Sequence, residues 1–243
     1  IDVRAGISDP SHVVPRAAVE VKDVIAQVEP IIADVAERGA AAVAEWTKRL
    51  DRCDPPSLRV PTDLLERSWE QLDGEVRLAL QTAALRVRSV HEAQNPLEFE
   101  TPVAPGGSIQ QRWMPVRRVG LYVPGGRAVY PSSVIMNVVP AQVAGVESLA
   151  VVSPPQSDHG GWPHPTVLAT CHMLGITEVY AVGGAQAVAM LAYGVDLDPQ
   201  PCDPVDLITG PGNVWVTAAK RLVMGRVGID SEAGPTEVMV LAD

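Results

Sequence analysis

Glu178-Val179-Tyr180-Ala181-Val182-Gly183-Gly184-Ala185-Gln186-Ala187-Val188-Ala189-Met190-Leu191-Ala192-Tyr193-Gly194 is the stretch that decides the fold. It reads as a short buried strand, a glycine turn and a helix ended by glycine. The same unit recurs on both sides. Upstream, Val119–Val123 is a strand that runs into Pro124-Gly125-Gly126, followed by a helix over 134–144 in which Pro140 should introduce a kink or a split. Ser148–Val152 is a strand and His164–Leu174 a helix. Downstream, Val205–Ile208 is a strand ending in Gly210-Pro211-Gly212, Asn213–Met224 is a helix, and Val238–Leu241 is a further strand. Strict alternation of strands and helices predicts an α/β fold with a doubly wound parallel sheet.

The first hundred residues lack this rhythm. Apolar residues recur at helical spacing from Val21 to Val35, interrupted by Pro30, and again through Trp46 and Leu50. Thr62 is an expected N-cap for the next helix. An apolar face from Val76 to Val90 leads to Gln94-Asn95-Pro96, where that helix should stop. The chain therefore divides into a helical segment over 1–100, a sheet domain over 101–235 and, over 236–243, the start of a second unit. Residues 154–165, rich in Pro, Gly and His, read as a loop.

The formal net charge of −10, with no local basic stripe, argues against a nucleic-acid partner. No apolar run is long enough to span a bilayer, and no leader peptide is visible, so no membrane partner is expected. Three scattered cysteines, Cys53, Cys171 and Cys202, fit a reducing, cytoplasmic location.

Three strands end in glycine turns, and in a parallel sheet all three lie on the carboxyl edge, where α/β proteins bind ligands. Each turn has a neighbour suited to a ligand: Tyr122, Gln186 and Asn213. A tyrosine ring can stack on a flat group, and Gln and Asn amides both donate and accept hydrogen bonds. For Gln186 and Asn213, helix capping and ligand contact are both open. The GxGxxG fingerprint of dinucleotide sites is absent, so spacing supports only a nucleotide-sized ligand. His159, His164 and His172 match no familiar metal spacing, no Cys or Glu completes them, and no metal ligand is assigned. Cys171, inside an apolar helix, reads as core.

Four blocks, Gly120–Gly126, Val182–Ala187, Gly210–Asn213 and Ala233–Glu237, stand in the order and spacing of the histidinol dehydrogenases, which this chain resembles over essentially its whole length. Trp46–Asp51 and His91–Gln94 also look like family positions. The resemblance implies incomplete Rossmann-like domains, which accounts for the missing GxGxxG. It implies an oxidoreductase of the last step of histidine biosynthesis, oxidising L-histidinol to L-histidine through the aldehyde with two NAD molecules and zinc, in a cytoplasmic homodimer. It puts Tyr122, Gln186 and Asn213 on NAD-contacting positions and Thr236 on a substrate-contacting one. The family's catalytic base and zinc ligands would follow residue 243, so no catalytic or metal residue is expected within the chain. The alternative is a non-catalytic nucleotide-binding fragment.

Overall fold

Five parallel strands form the centre of the protein: β3 (Arg118–Tyr122), β4 (Ser148–Ser153), β5 (Val179–Ala181), β6 (Leu207–Thr209) and β7 (Gly228–Ile229). The computed structural model describes residues 21–125 and 128–231. The strands lie in the order β5-β4-β3-β6-β7. Counted from β3, this is 3-2-1-4-5, the Rossmann order, with its switch point between β3 and β6.

Side chains alternate across the sheet, as a period of two requires. Tyr122, Ala150, Val152, Tyr180 and Ile208 face one core cluster. Val119, Leu121, Val151, Val179 and Ala181 face the other. The first face is covered by α1 (Val21–Arg38), α2 (Ala40–Leu50), α7 (Gly184–Tyr193) and α8 (Val214–Val223). The second is covered by α3 (Thr62–Glu70), α5 (Pro131–Val143) and α6 (Pro165–Met173). The long α4 (Gly74–Gln94) packs on α5 through Leu80, Ile135 and Val139. The helical N-terminal segment thus shares its core with the sheet. Val24, Val28, Ile31 and Val35 form one stripe of α1, which packs on α7 and α8.

Several local expectations are corrected. Neither Pro30 nor Pro140 splits its helix, since α1 and α5 each run through. Each proline removes one backbone donor, but both helices bury an apolar stripe on either side of it, and packing overrides the lost bond. Thr62 is the first residue of α3, not its cap. Pro61 occupies the cap position, with no side-chain bond. Helix α4, in contrast, is capped by Asp73, which accepts hydrogen bonds from the Glu75 and Val76 amides.

Two elements went unread in the sequence. An antiparallel hairpin joins β1 (Phe99–Ala104) to β2 (Gly107–Gln111). It buries almost none of its side chains, so it carries no alternating in-and-out pattern. The two-residue β7 is too short to register as an apolar run. The strand expected over 238–241 lies outside the described residues. Among the described residues, no helix is long and apolar enough to cross a membrane.

Candidate functional site

A cleft of about 930 Å³ opens at the carboxyl edge of the sheet, over the switch point. Its floor comes from the strand ends: Tyr122, Pro124 and Gly125 after β3, Pro154 and Pro155 after β4, Gly184 and Ala185 after β5, and Gly212 and Asn213 after β6. One wall comes from the N-terminal helices, with Ile31 of α1, Trp46 and Arg49 of α2, and Asp51 just beyond it. Helices α7 and α8 both begin at this cleft, so two positive dipole ends point at whatever occupies it.

Tyr122 is buried, and its hydroxyl accepts a hydrogen bond from the Gly184 amide at 3.0 Å. Burial pushes its phenol up to about 12, so the hydroxyl keeps its proton at neutral pH. The turn it holds is one that glycine favours, since Gly184 has φ of 60°.

Asn213 caps α8: its Oδ1 accepts from the Trp215 and Val216 amides, both at 3.1 Å. This uses only the oxygen. The amide nitrogen forms no bond among the described residues and lies at the cleft, so capping and ligand contact are compatible rather than exclusive.

Gln186 is wholly buried and does not line the cleft. It lies beneath the floor on the first turn of α7, and its Nε2 donates to Asp51 Oδ2 at 3.0 Å. Its Oε1 has no partner among the described residues. Thr236 lies outside the described residues.

The turn after β6 is clamped by a pair that sequence reading missed. Lys220, buried on α8, donates to the Gly210 carbonyl and to Asp230 Oδ1, the latter at 2.8 Å. Asp230 Oδ2 accepts from the Gly210 amide at 2.8 Å. Both polar groups of Gly210 are therefore satisfied by one ion pair. The sequence signal was the position of Lys220 on the Val216–Val223 face of α8, the side that packs inward. Replacing Lys220 by methionine is expected to cost about 1–3 kcal/mol, because it leaves the Gly210 carbonyl and Asp230 without their donor. Asp230 is one-third exposed, which limits the loss. A shift in the urea midpoint measures it, and an unchanged midpoint would show that the clamp contributes nothing.

Of the three histidines considered as ligands, His159 and His164 meet edge to face, with ring centroids 4.6 Å apart, and His164 caps α6 through Nδ1. Among the described residues, no group of three His, Cys, Asp or Glu side chains converges to hold a metal. Cys171 lies fully inside the core, and burial pushes its thiol up to about 12.

A parallel sheet in Rossmann order, with a cleft at its switch point, defines an α/β fold of the Rossmann-like class. Comparison with known proteins narrows this. The family model described as "Histidinol dehydrogenase" matches residues 14–243, and the chain belongs to that family. The histidinol dehydrogenase of Thermobifida fusca is 57% identical over the whole of this chain, which covers 55% of that protein. That of Corynebacterium efficiens is 57% identical over 97% of this chain and 52% of its own length. The crystal structure of histidinol dehydrogenase from Elizabethkingia anophelis superposes with a TM-score of 0.81 at 28% identity, covering 92% of this chain and 50% of that one. The chain spans about half the length of the curated relatives it matches.

Proposed function

We propose that this chain supplies the NAD-binding cleft of a histidinol dehydrogenase, which oxidises L-histidinol to L-histidine through the aldehyde in the last step of histidine biosynthesis. The observation that carries the reading is the cleft at the switch point, fronted by three glycine turns and two helix N-termini, in a chain of this family. The fit to a dinucleotide rests on three features: the Asn213 amide nitrogen at the cleft and the Gln186 oxygen beneath its floor, neither bonded among the described residues, and the turn at Gly184, where a Cβ would crowd Gln186.

When bound, NAD supplies the hydride acceptor. The chain's own residues bind and orient. The amides at the starts of α7 and α8 that are not already bonded to Tyr122 or Asn213 would receive the anionic pyrophosphate. Tyr122 holds the Gly183-Gly184 turn and forms part of the floor. Asn213 donates from Nδ2 while its oxygen caps the helix. Gln186 acts from below, through Asp51. In this reading the organisation is a helical segment over 1–100, a Rossmann-like domain over 101–235 and the start of a second domain from 236, with Thr236 touching substrate. Zinc would be held by residues beyond 243. The assembly is a cytoplasmic homodimer with no nucleic-acid or membrane partner.

Calorimetric titration with NAD tests the cleft, and NADH formation from L-histidinol tests the reaction. Asn213→Ala is expected to lose about 1 kcal/mol of stability with its cap and to weaken NAD about tenfold. Tyr122→Phe should weaken NAD in the same direction by releasing the Gly184 amide. If both variants bind NAD as the parent does, the cleft is not the NAD site.

A further inference from the structure

Asp51 is the single carboxylate among the described residues lining the cleft. It closes the C-terminal end of α2. Its Oδ2 takes the hydrogen bond from Gln186, and no bond among the described residues engages Oδ1. Gln186 Oε1, the unpartnered atom, lies close under Gly184: a Cβ on that glycine would stand 2.7 Å from it. Asp51 thus offers the cleft an acceptor that no described residue engages, while Gln186 holds its other oxygen from beneath the floor. A ligand that fits this acceptor brings hydroxyl or amino hydrogens and no negative charge. The vicinal hydroxyls of a ribose are such a group.

In sheets of this order, an acid at the end of the second strand takes the adenosine ribose. Here that strand, β4, runs into Ser153-Pro154-Pro155 and has no acid at its end. Asp51 arrives instead from the N-terminal helices. Its partner Gln186 stands behind β5, on the β4–β5 side of the switch point. We propose that Asp51 receives the adenosine ribose diol of the nucleotide, held in place by Gln186 as a positioning residue, and that this carboxylate excludes a 2′-phosphate. The inference rests on the NAD reading above. Arg49, the cation on the same wall, lies over the Trp46 ring at 4.9 Å, and its charge is held there rather than at Asp51. Burial raises the Asp51 carboxyl to about 6, an unfavourable placement for an acid with only a structural task.

The test is calorimetric titration of the 243-residue chain and of Asp51→Asn with NAD and with NADP at pH 8, where the carboxyl is ionised. The parent is expected to prefer NAD by about tenfold or more, and Asp51→Asn to lose about tenfold in NAD affinity while the two affinities converge. Gln186→Ala should move the same ratio by a smaller factor. The thermal midpoint of Asp51→Asn should equal or exceed the parent's, whereas a purely structural Asp51 would give a lower one. An Asp51→Asn variant that keeps both the NAD affinity and the NAD-to-NADP ratio overturns the inference while leaving the NAD reading intact. A parent that binds neither nucleotide overturns both. Should Asp51→Asn fail to fold, the parent alone decides: equal affinity for NAD and NADP overturns the proposal.

Discussion

Alanine in place of Gly210 is expected to destabilise the chain by about 4 kcal/mol or more, a size reserved for a few mechanisms. Gly210 has φ of 117°, a region that L side chains rarely enter. A Cβ there would lie 2.1 Å from the Tyr122 carbonyl oxygen. That obstacle is backbone at the end of the central strand and cannot swing aside as a side chain would. Relief would require parting β3 from β6 at the switch point, or breaking the bonds from Lys220 and to Asp230. Set against the roughly 5–15 kcal/mol of a typical domain, the loss leaves much of the population unfolded. Urea unfolding followed by circular dichroism gives the number. A midpoint within about 1 kcal/mol of the parent would mean that the two turns have room to separate.

The second large effect lies at the opposite edge of the sheet. Glu178, just before β5, pairs with Arg118 at the start of β3 at 2.5 Å, and both side chains are largely buried. Tyr180 donates to the same carboxylate at 2.7 Å, while Arg118 also reaches Ser148 Oγ and the Asp203 carbonyl. Removing the carboxylate with Glu178→Ala leaves the guanidinium partly buried without its counter-charge, and should cost about 3–5 kcal/mol. Burial pushes the Glu178 carboxyl up, but the bonds from Arg118 and Tyr180 outweigh it and hold the carboxyl below its usual value. A depressed folded-state value means that the pair contributes fully above the unfolded carboxyl's range, near pH 4.3, and that this share is lost as pH falls through the folded value. The parent's thermal midpoint should therefore drop more steeply between pH 5 and 3 than that of Glu178→Ala. Because the pair is remote from the cleft, NAD affinity measured well below the midpoint should be unchanged. Parallel acid limbs would sink the linkage argument, and a lost NAD affinity would show that the two edges are coupled.

Much of this was legible in the sequence, for reasons that particular residues make clear. The strands β3, β4 and β5 could be read because they are apolar runs buried on both faces, and β3 and β5 lead into glycine turns. The helices α7 and α8 could be read because Gly194 and Gly225 end their apolar runs. The hairpin could not, since Phe99, Val103 and Ile109 face solvent and leave no in-and-out rhythm. Strand order was also out of reach, because nothing local sets β6 beside β3 rather than beside β5. At the site, Tyr122 and Asn213 could be placed from the turns they adjoin, and both line the cleft. Gln186 adjoins a turn in the same way, yet the first turn of α7 carries it under the floor. Asp51 escaped notice as a site residue because its partner Gln186 lies 135 residues away, and the Lys220–Asp230 clamp because it joins a helix to the ends of two neighbouring strands.

The cleft has a wall made early and a floor completed late. Ile31, Trp46 and Asp51 leave the ribosome long before Gly184 and Asn213, and α1 must wait for α7 and α8 before its stripe of Val24, Val28, Ile31 and Val35 is covered. Such distant pairings slow folding and leave the nascent stripe to chaperones in the interval. On the reading proposed above, nucleotide is a probe of how far the fold has closed: a ribosome-bound intermediate that stops short of α8 lacks the Gly212–Asn213 part of the floor, and a nucleotide added during translation would engage fully only once α8 has docked.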